Sequence, residues 1–213
     1  MDVVLFDMDG LLVDTERLWF AVETEVVERL GGSWGPEHQR QLVGGSLKRA
    51  VAYMLEHTGA DVDPDVVAGW LIEGMERRLT ESVDPMPGAM ELLTALRDKG
   101  IPTGLVTSSR RPLADAVLKH IGREHFDVVV TADDVSHAKP HPEPYLTALA
   151  MLSADPARSV ALEDSPNGVA SAVAAGCRVV AVPSLLPIPE QPGVTVLPAL
   201  THADVGLLRS LVG

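Results

Sequence analysis

Val3-Val4-Leu5-Phe6-Asp7-Met8-Asp9-Gly10 is the stretch from which the rest of the chain can be read. Four apolar residues form a strand-sized run that stops on two carboxylates two positions apart, and a glycine follows. A buried strand ending this way delivers acidic groups to the end of a sheet, where ligands bind in open α/β folds. Strict alternation would send Asp7 and Asp9 to opposite faces. Gly10 allows the backbone to turn, so that both can face one pocket. The plainer reading of the same residues is a solvated acidic turn, and the other strand ends decide between the two.

Those ends follow from the alternation of short β-rich runs with helical spacing. Strands are expected at Val3 to Phe6, Thr103 to Val106, Val128 to Val130, Ser159 to Leu162, Arg178 to Val182 and, more weakly, Val194 to Leu197. Ala89, Leu92, Leu93 and Leu96, closed by Gly100, have helical spacing, as does Asn167 to Ala175 before Gly176. Strand and helix in alternation imply a parallel sheet with helices on both faces. From about Thr15 to Asp84 the rhythm breaks, and only helical stripes remain. Trp19, Val22, Val26 and Leu30 form one; Leu47, Val51, Met54 and Leu55 a second; Val67, Trp70, Leu71, Met75 and Leu79 a third. The reading is an α/β core of residues 1–14 and 85–213 with a helical domain, 15–84, inserted after the first strand. The stripes are most simply packing faces. The Pro183 to Pro192 segment, with its four prolines, reads as a surface connection.

Composition excludes several classes. A formal charge of −13 argues against a general nucleic-acid binder, whose footprint is basic. The apolar runs are strand-sized, so no membrane span is expected. The chain enters its first strand without a basic leader, and its single cysteine, Cys177, fits a reducing interior. A cytoplasmic protein is the expectation, with monomer as the default because no long coiled-coil stripe is present. Cys177 reads as a small buried side chain.

The remaining strand ends supply partners for Asp7 and Asp9. Gly104-Leu105-Val106 runs into Thr107-Ser108-Ser109, where hydroxyls and free N–H groups suit phosphate oxygens. Lys139 sits in the proline-stiffened stretch Ala138-Lys139-Pro140-His141-Pro142-Glu143. Ala161-Leu162 runs into Glu163-Asp164-Ser165-Pro166-Asn167-Gly168, a second acidic pair. Hard oxygen ligands without a His or Cys cluster suit Mg²⁺. His137 and His141, on either side of Lys139, read as solvated loop residues, and His120 and His125 as interhelical or turn residues.

Asp7-Met8-Asp9-Gly10, Thr107-Ser108, Lys139-Pro140 and Glu163-Asp164-Ser165-Pro166-Asn167-Gly168 together resemble the haloacid dehalogenase (HAD) superfamily over nearly the whole chain. The insertion resembles that of the small-helical-cap subclass, which includes β-phosphoglucomutase and sugar-phosphate phosphatases. The resemblance implies a parallel-sheet, Rossmann-like HAD core with a cap domain, and a role for each matched position. Asp7 would be the nucleophile that forms an aspartyl-phosphate. Asp9 would protonate the leaving alcohol and then activate water, its backbone carbonyl also binding Mg²⁺. Thr107 and the Ser108 N–H would hold the phosphoryl group, and Lys139 would bridge it to Asp7. Asp164 would ligate Mg²⁺, Glu163 would support the ion directly or through water, and Asn167 would stand behind them.

Asp9 points to phosphate-ester chemistry, because dehalogenases and phosphonate hydrolases of this superfamily lack an aspartate there. β-Phosphoglucomutases carry a histidine four residues after the threonine that here is Thr15; this chain has Trp19. It has Leu47 where the mutase has an arginine that grips the distal phosphate, although the Gly44-x-Ser46 pattern is kept. Lys48 or Arg49 could substitute for that arginine, though on a helix they would face other directions. Asp14-Thr15-Glu16-Arg17-Leu18-Trp19 resembles instead a stretch of hexose- and hexitol-phosphate phosphatases. The expectation is therefore a Mg²⁺-dependent phosphatase for a small sugar or polyol phosphate. A phosphosugar mutase is the nearer alternative and a non-catalytic phosphometabolite binder the more distant one. Trp19, Gly45, Ser46 and Lys48 would select the substrate from the cap, with hinges near Thr15 and Pro85 to Pro87.

Overall fold

The computed structural model describes residues 1–42 and 45–213. Its centre is a parallel sheet of β1 (Val4–Phe6), β2 (Thr103–Val106), β3 (Val128–Val130), β4 (Val160–Glu163), β5 (Arg178–Ala181) and β6 (Val194–Val196). Their order across the sheet is β3-β2-β1-β4-β5-β6, so the first strand is central and the chain order reverses beside it. Ligands bind at such a reversal in α/β sheets, outside the carboxyl ends of the strands.

Both faces of the sheet are covered. Val4 and Phe6 belong to one apolar cluster, and Val3 and Leu5 to another, as a two-residue side-chain period requires. α5 (Ala89–Asp98), α6 (Arg111–Ile121) and α9 (Val205–Leu211) close the first face through Leu93, Val117 and Leu208. α7 (Glu143–Leu152) and α8 (Pro166–Ala174) close the second through Tyr145, Leu149 and Val169. Cys177 is buried in this second cluster, and burial pushes its thiol up to about 12.

Four helices lie between β1 and α5: α1 (Glu16–Arg29), α2 (Pro36–Leu42), α3 (Leu47–Thr58) and α4 (Pro64–Glu81). Their buried residues include Val22, Val26, Val51, Met54, Val67, Leu71 and Leu79, which are the residues of the sequence stripes. α3 is capped by the Ser46 hydroxyl at its start and by Gly59, at φ 66°, at its end. α4 packs on α6, and the His120 ring nitrogen Nε2 lies 2.8 Å from the Leu79 carbonyl oxygen across that contact. The helical insert thus shares the apolar cluster on the β1–β2 face rather than standing apart from it. Among the described residues no helix is long and apolar enough to cross a membrane.

Candidate active site

The sheet register brings the sequence motifs together. Phe6 is level with Leu105 and Leu162, so Asp7, one residue on, stands beside Val106 and Glu163. The Asp7 N–H donates to the Leu162 carbonyl and the Thr107 N–H to that of Val130, which continues the ladder for one step beyond each strand. The chain then turns at Gly10 (φ 83°). A Cβ at Gly10 would lie 2.3 Å from Asp164 Oδ2, so only glycine allows the turn and the second acidic pair to approach this closely.

Lys139 is the hub. Its buried ammonium donates to Asp7 Oδ1 at 2.6 Å, to Glu163 Oε1 at 2.5 Å and to the Val106 carbonyl at 2.8 Å. Glu163 is fully buried, and the Tyr145 hydroxyl also donates to its Oε1 at 2.6 Å. Its Oε2 accepts the Asp164 N–H, and a Cβ on Gly168 would collide with that carboxylate. Both oxygens of Glu163 are therefore engaged, one of them by Lys139. Asp164 accepts the Ser184 hydroxyl at 2.6 Å. The Pro183 to Pro192 connection is thus more than a surface crossing, since its first turn supports an acidic site residue.

Asp9 is held by hydroxyls instead. Thr15 donates to its Oδ1 at 2.6 Å; Ser109 and Thr107 donate to its Oδ2 at 2.9 and 3.2 Å. The Thr107 hydroxyl in turn accepts the Ser109 N–H. Ser108 lines the cavity in front of this turn. Asn167 is half-buried in the first turn of α8, which is capped by Ser165, and is engaged with neighbouring groups.

Charge is unevenly balanced. Asp7, Glu163 and Asp164 are buried, with carboxylate oxygens within 4.8 Å of one another, and Lys139 is the ammonium among them. Burial raises the Asp7 carboxyl to about 8, helped by Glu163 and Asp9 and opposed by Lys139. Burial, with Asp7 and Glu163, also pushes Asp164 well above the carboxylate range. A buried cluster of hard oxygen donors with excess negative charge fits a small divalent cation such as Mg²⁺.

The opposite wall of the cavity comes from the helical insert. Trp19, Gly45, Ser46 and Leu47 line it, together with Glu16, Glu23, Gln39, Leu42 and Ala50. The structure does not bring Lys48 there: it is exposed, because a helix turns roughly 100° per residue and Leu47 takes the inward direction. Arg49 instead donates to the Gln41 carbonyl. Val43 and Gly44, half of the expected Gly-x-Ser loop, lie outside the described residues. His137 and His141 are exposed beside Glu143 and do not line the cavity.

Comparison with known proteins settles the family. The model of haloacid dehalogenase-like hydrolases matches residues 4–182. The chain belongs to the haloacid dehalogenase-like hydrolases. Among relatives, hexitol phosphatase A of Escherichia coli (strain K12) is 36% identical over 185 residues, covering 84% of this chain and 81% of that protein. Validoxylamine A 7'-phosphate phosphatase of Streptomyces hygroscopicus subsp. limoneus is 35% identical over 179 residues, 82% of each chain. The crystal structure of CbbY from Rhodobacter sphaeroides in complex with phosphate superposes with a TM-score of 0.88 at 29% identity, covering 98% of this chain and 99% of that one. As in the haloacid dehalogenase-like reading of the motifs, the sheet is parallel and the helical insert follows β1.

Several residues of this hydrolase's site were not foreseen from sequence. Tyr145 and Ser184 belong to a helix and a loop whose contacts are long-range, while Ser109, expected with Thr107 and Ser108 to meet phosphate oxygens, holds Asp9. Glu16 and Glu23 carried a usable signal: with Trp19 they fall at i, i+3 and i+7, one face of α1.

Proposed function

We propose that the chain is a Mg²⁺-dependent phosphatase for a small phosphorylated sugar or polyol, acting through an aspartyl-phosphate on Asp7. The observation that carries this is the Lys139 ammonium fixed on Asp7 with Asp9 beside it, at the reversal point of the sheet. Asp7 attacks phosphorus, and Lys139 offsets the charge that gathers on nucleophile and phosphoryl oxygens. Thr107 and the Ser108 N–H orient the group being transferred. Asp9 gives a proton to the departing alcohol, and then takes one from the water that releases phosphate from Asp7. Thr15, Thr107 and Ser109 hold the Asp9 carboxylate for both steps.

Asp7, Asp164 and the Asp9 carbonyl would hold the Mg²⁺, with Glu163 supporting the site through Lys139. When bound, the ion supplies positive charge to the phosphoryl oxygens. Residues 15–84 act as the cap that closes on the core and excludes water, hinged at Thr15 and at residues 85–87. Phosphatase is favoured over mutase because, among the described residues, residues 15–84 put no basic side chain on the cavity to grip a second phosphate, and Arg110, which lines it from the core, is paired with Asp133. Relatives named as phosphatases of hexitols and other phosphorylated carbohydrates support the same reading.

The test is phosphate release from a panel of sugar, polyol and nucleotide monophosphates, with and without Mg²⁺, with Asp7→Asn as the blank. Mg²⁺-dependent release from a few hexose or polyol phosphates is expected. Asp7→Asn should lower it by about 10⁴-fold or more, the scale of losing a nucleophile. Turnover by that variant at the wild-type rate would remove Asp7 from the mechanism.

A further inference from the structure

Glu23 is a carboxylate on the cap wall of the cavity, and it is only 5% exposed. Its Oε2 accepts the Trp34 indole N–H at 3.1 Å. Trp34 is itself set among rings, with His38 stacked at 4.8 Å and Tyr53 and His57 edge-on at 5.8 and 6.0 Å. The carboxylate is thus positioned by a neutral donor on a fixed aromatic cluster, and it faces the cavity that holds Asp7 and Asp9. Glu16, seven residues earlier on α1, lines the same wall.

An acidic wall of this kind repels a second phosphate and needs hydrogen-bond donors from whatever fills the cavity. Hydroxyl groups supply such donors without a net charge of their own. We infer that Glu23 is a specificity-determining residue that accepts hydrogen bonds from the hydroxyl groups of the departing polyol. This rests on the phosphatase reading and extends it to the leaving group. Trp34 is a positioning residue that sets the direction of the Glu23 carboxylate.

Glu23→Gln tests the idea, because glutamine keeps an oxygen for the Trp34 N–H and removes the charged acceptor. The quantity to measure, at about pH 8.5 where a carboxyl raised to about 7 is ionised, is the ratio of kcat/KM for a hexitol phosphate to that for p-nitrophenyl phosphate, whose leaving group has no further hydroxyls. Loss of a charged hydrogen bond should lower this ratio roughly 10- to 100-fold, chiefly through KM for the hexitol phosphate. A ratio equal to wild type, whether or not both rates fall, overturns the inference. So does a strong preference of the wild type for an amino-polyol phosphate over its hydroxyl counterpart, which would assign Glu23 to an ammonium. If the wild type releases phosphate from no ester, the phosphatase reading fails instead. Calorimetric binding of the hexitol phosphate to Asp7→Asn, with and without Glu23→Gln, then decides the role of Glu23: roughly 10-fold weaker binding supports it, and equal binding overturns it.

Discussion

On the sheet side of the cavity, Asp7 and Glu163 share the Lys139 ammonium, Asp9 accepts three hydroxyls, and Asp164 accepts Ser184. On the helical side, Glu16 and Glu23 receive neutral donors, the Gln39 amide and the Trp34 indole. Burial raises both to about 7; Asp9 adds to it at Glu16, and at Glu23 the Trp34 bond opposes it. The sheet wall is fixed by charged and hydroxyl donors of the protein itself, which is what electrostatic stabilisation of a reacting phosphoryl group requires. The helical wall keeps acceptors that a substrate can complete. On the proposed function, chemistry falls to the sheet wall and selection to the helical wall, and the contrast can be tested at each.

The largest expected effect on stability is at Lys139. Lys139→Met leaves Asp7 and Glu163 buried without their ammonium, and should cost about 3–5 kcal/mol in urea unfolding of the metal-free protein. An equal loss from Glu23→Ala would erase the distinction between the walls. Next in size is the metal. Mg²⁺ at about 100 times its dissociation constant should stabilise the wild type by about 2.7 kcal/mol, read as a rise in melting temperature. Asp164→Asn should abolish most of that rise, and a full rise in the variant would place the ion elsewhere. The smallest effect belongs to the helical wall. Glu16 and Glu23 lie near 7 when folded, above the 4.5 of a free glutamate. The folded state therefore holds more protons between those values, and stability falls as pH rises through that window. The double variant Glu16→Gln/Glu23→Gln lacks this penalty, so its melting temperature relative to wild type should climb between pH 5 and pH 8. A difference that stays flat with pH would mean that neither carboxyl is raised.

The sheet was legible in sequence to within a residue at most strand ends, because buried parallel strands are short apolar runs punctuated by polar loops. β2 and β3 fall where the runs predict, while β1 and β4 each start one residue later. Asp7, Lys139 and Glu163 were legible for a different reason: each stands in a short motif, Asp7 just beyond β1, Glu163 at the end of β4 and Lys139 in the proline-stiffened stretch that follows β3. What escaped lacked a local signature. α2, Pro-Glu-His-Gln-Arg-Gln-Leu, buries only Leu42 and so shows no stripe. Tyr145 reads as one more apolar residue of α7 until β4 places Glu163 against its hydroxyl. Lys48 was expected on the cavity wall, where helix direction puts Leu47 instead.

The place of β1 in the sheet has a consequence for how the molecule is made. Its two neighbours, β2 and β4, begin at Thr103 and Val160, so β1 is synthesised long before either partner exists. The helices of residues 16–81 emerge in the meantime and can pack by local contacts, while an acidic strand end waits for a lysine more than a hundred residues downstream. Such late, non-local closure slows folding and leaves apolar strand surface uncovered on the nascent chain. A stalled chain ending before Lys139 would carry a largely complete set of cap helices and an Asp7 still open to solvent. Activity and the last stage of folding should therefore appear together.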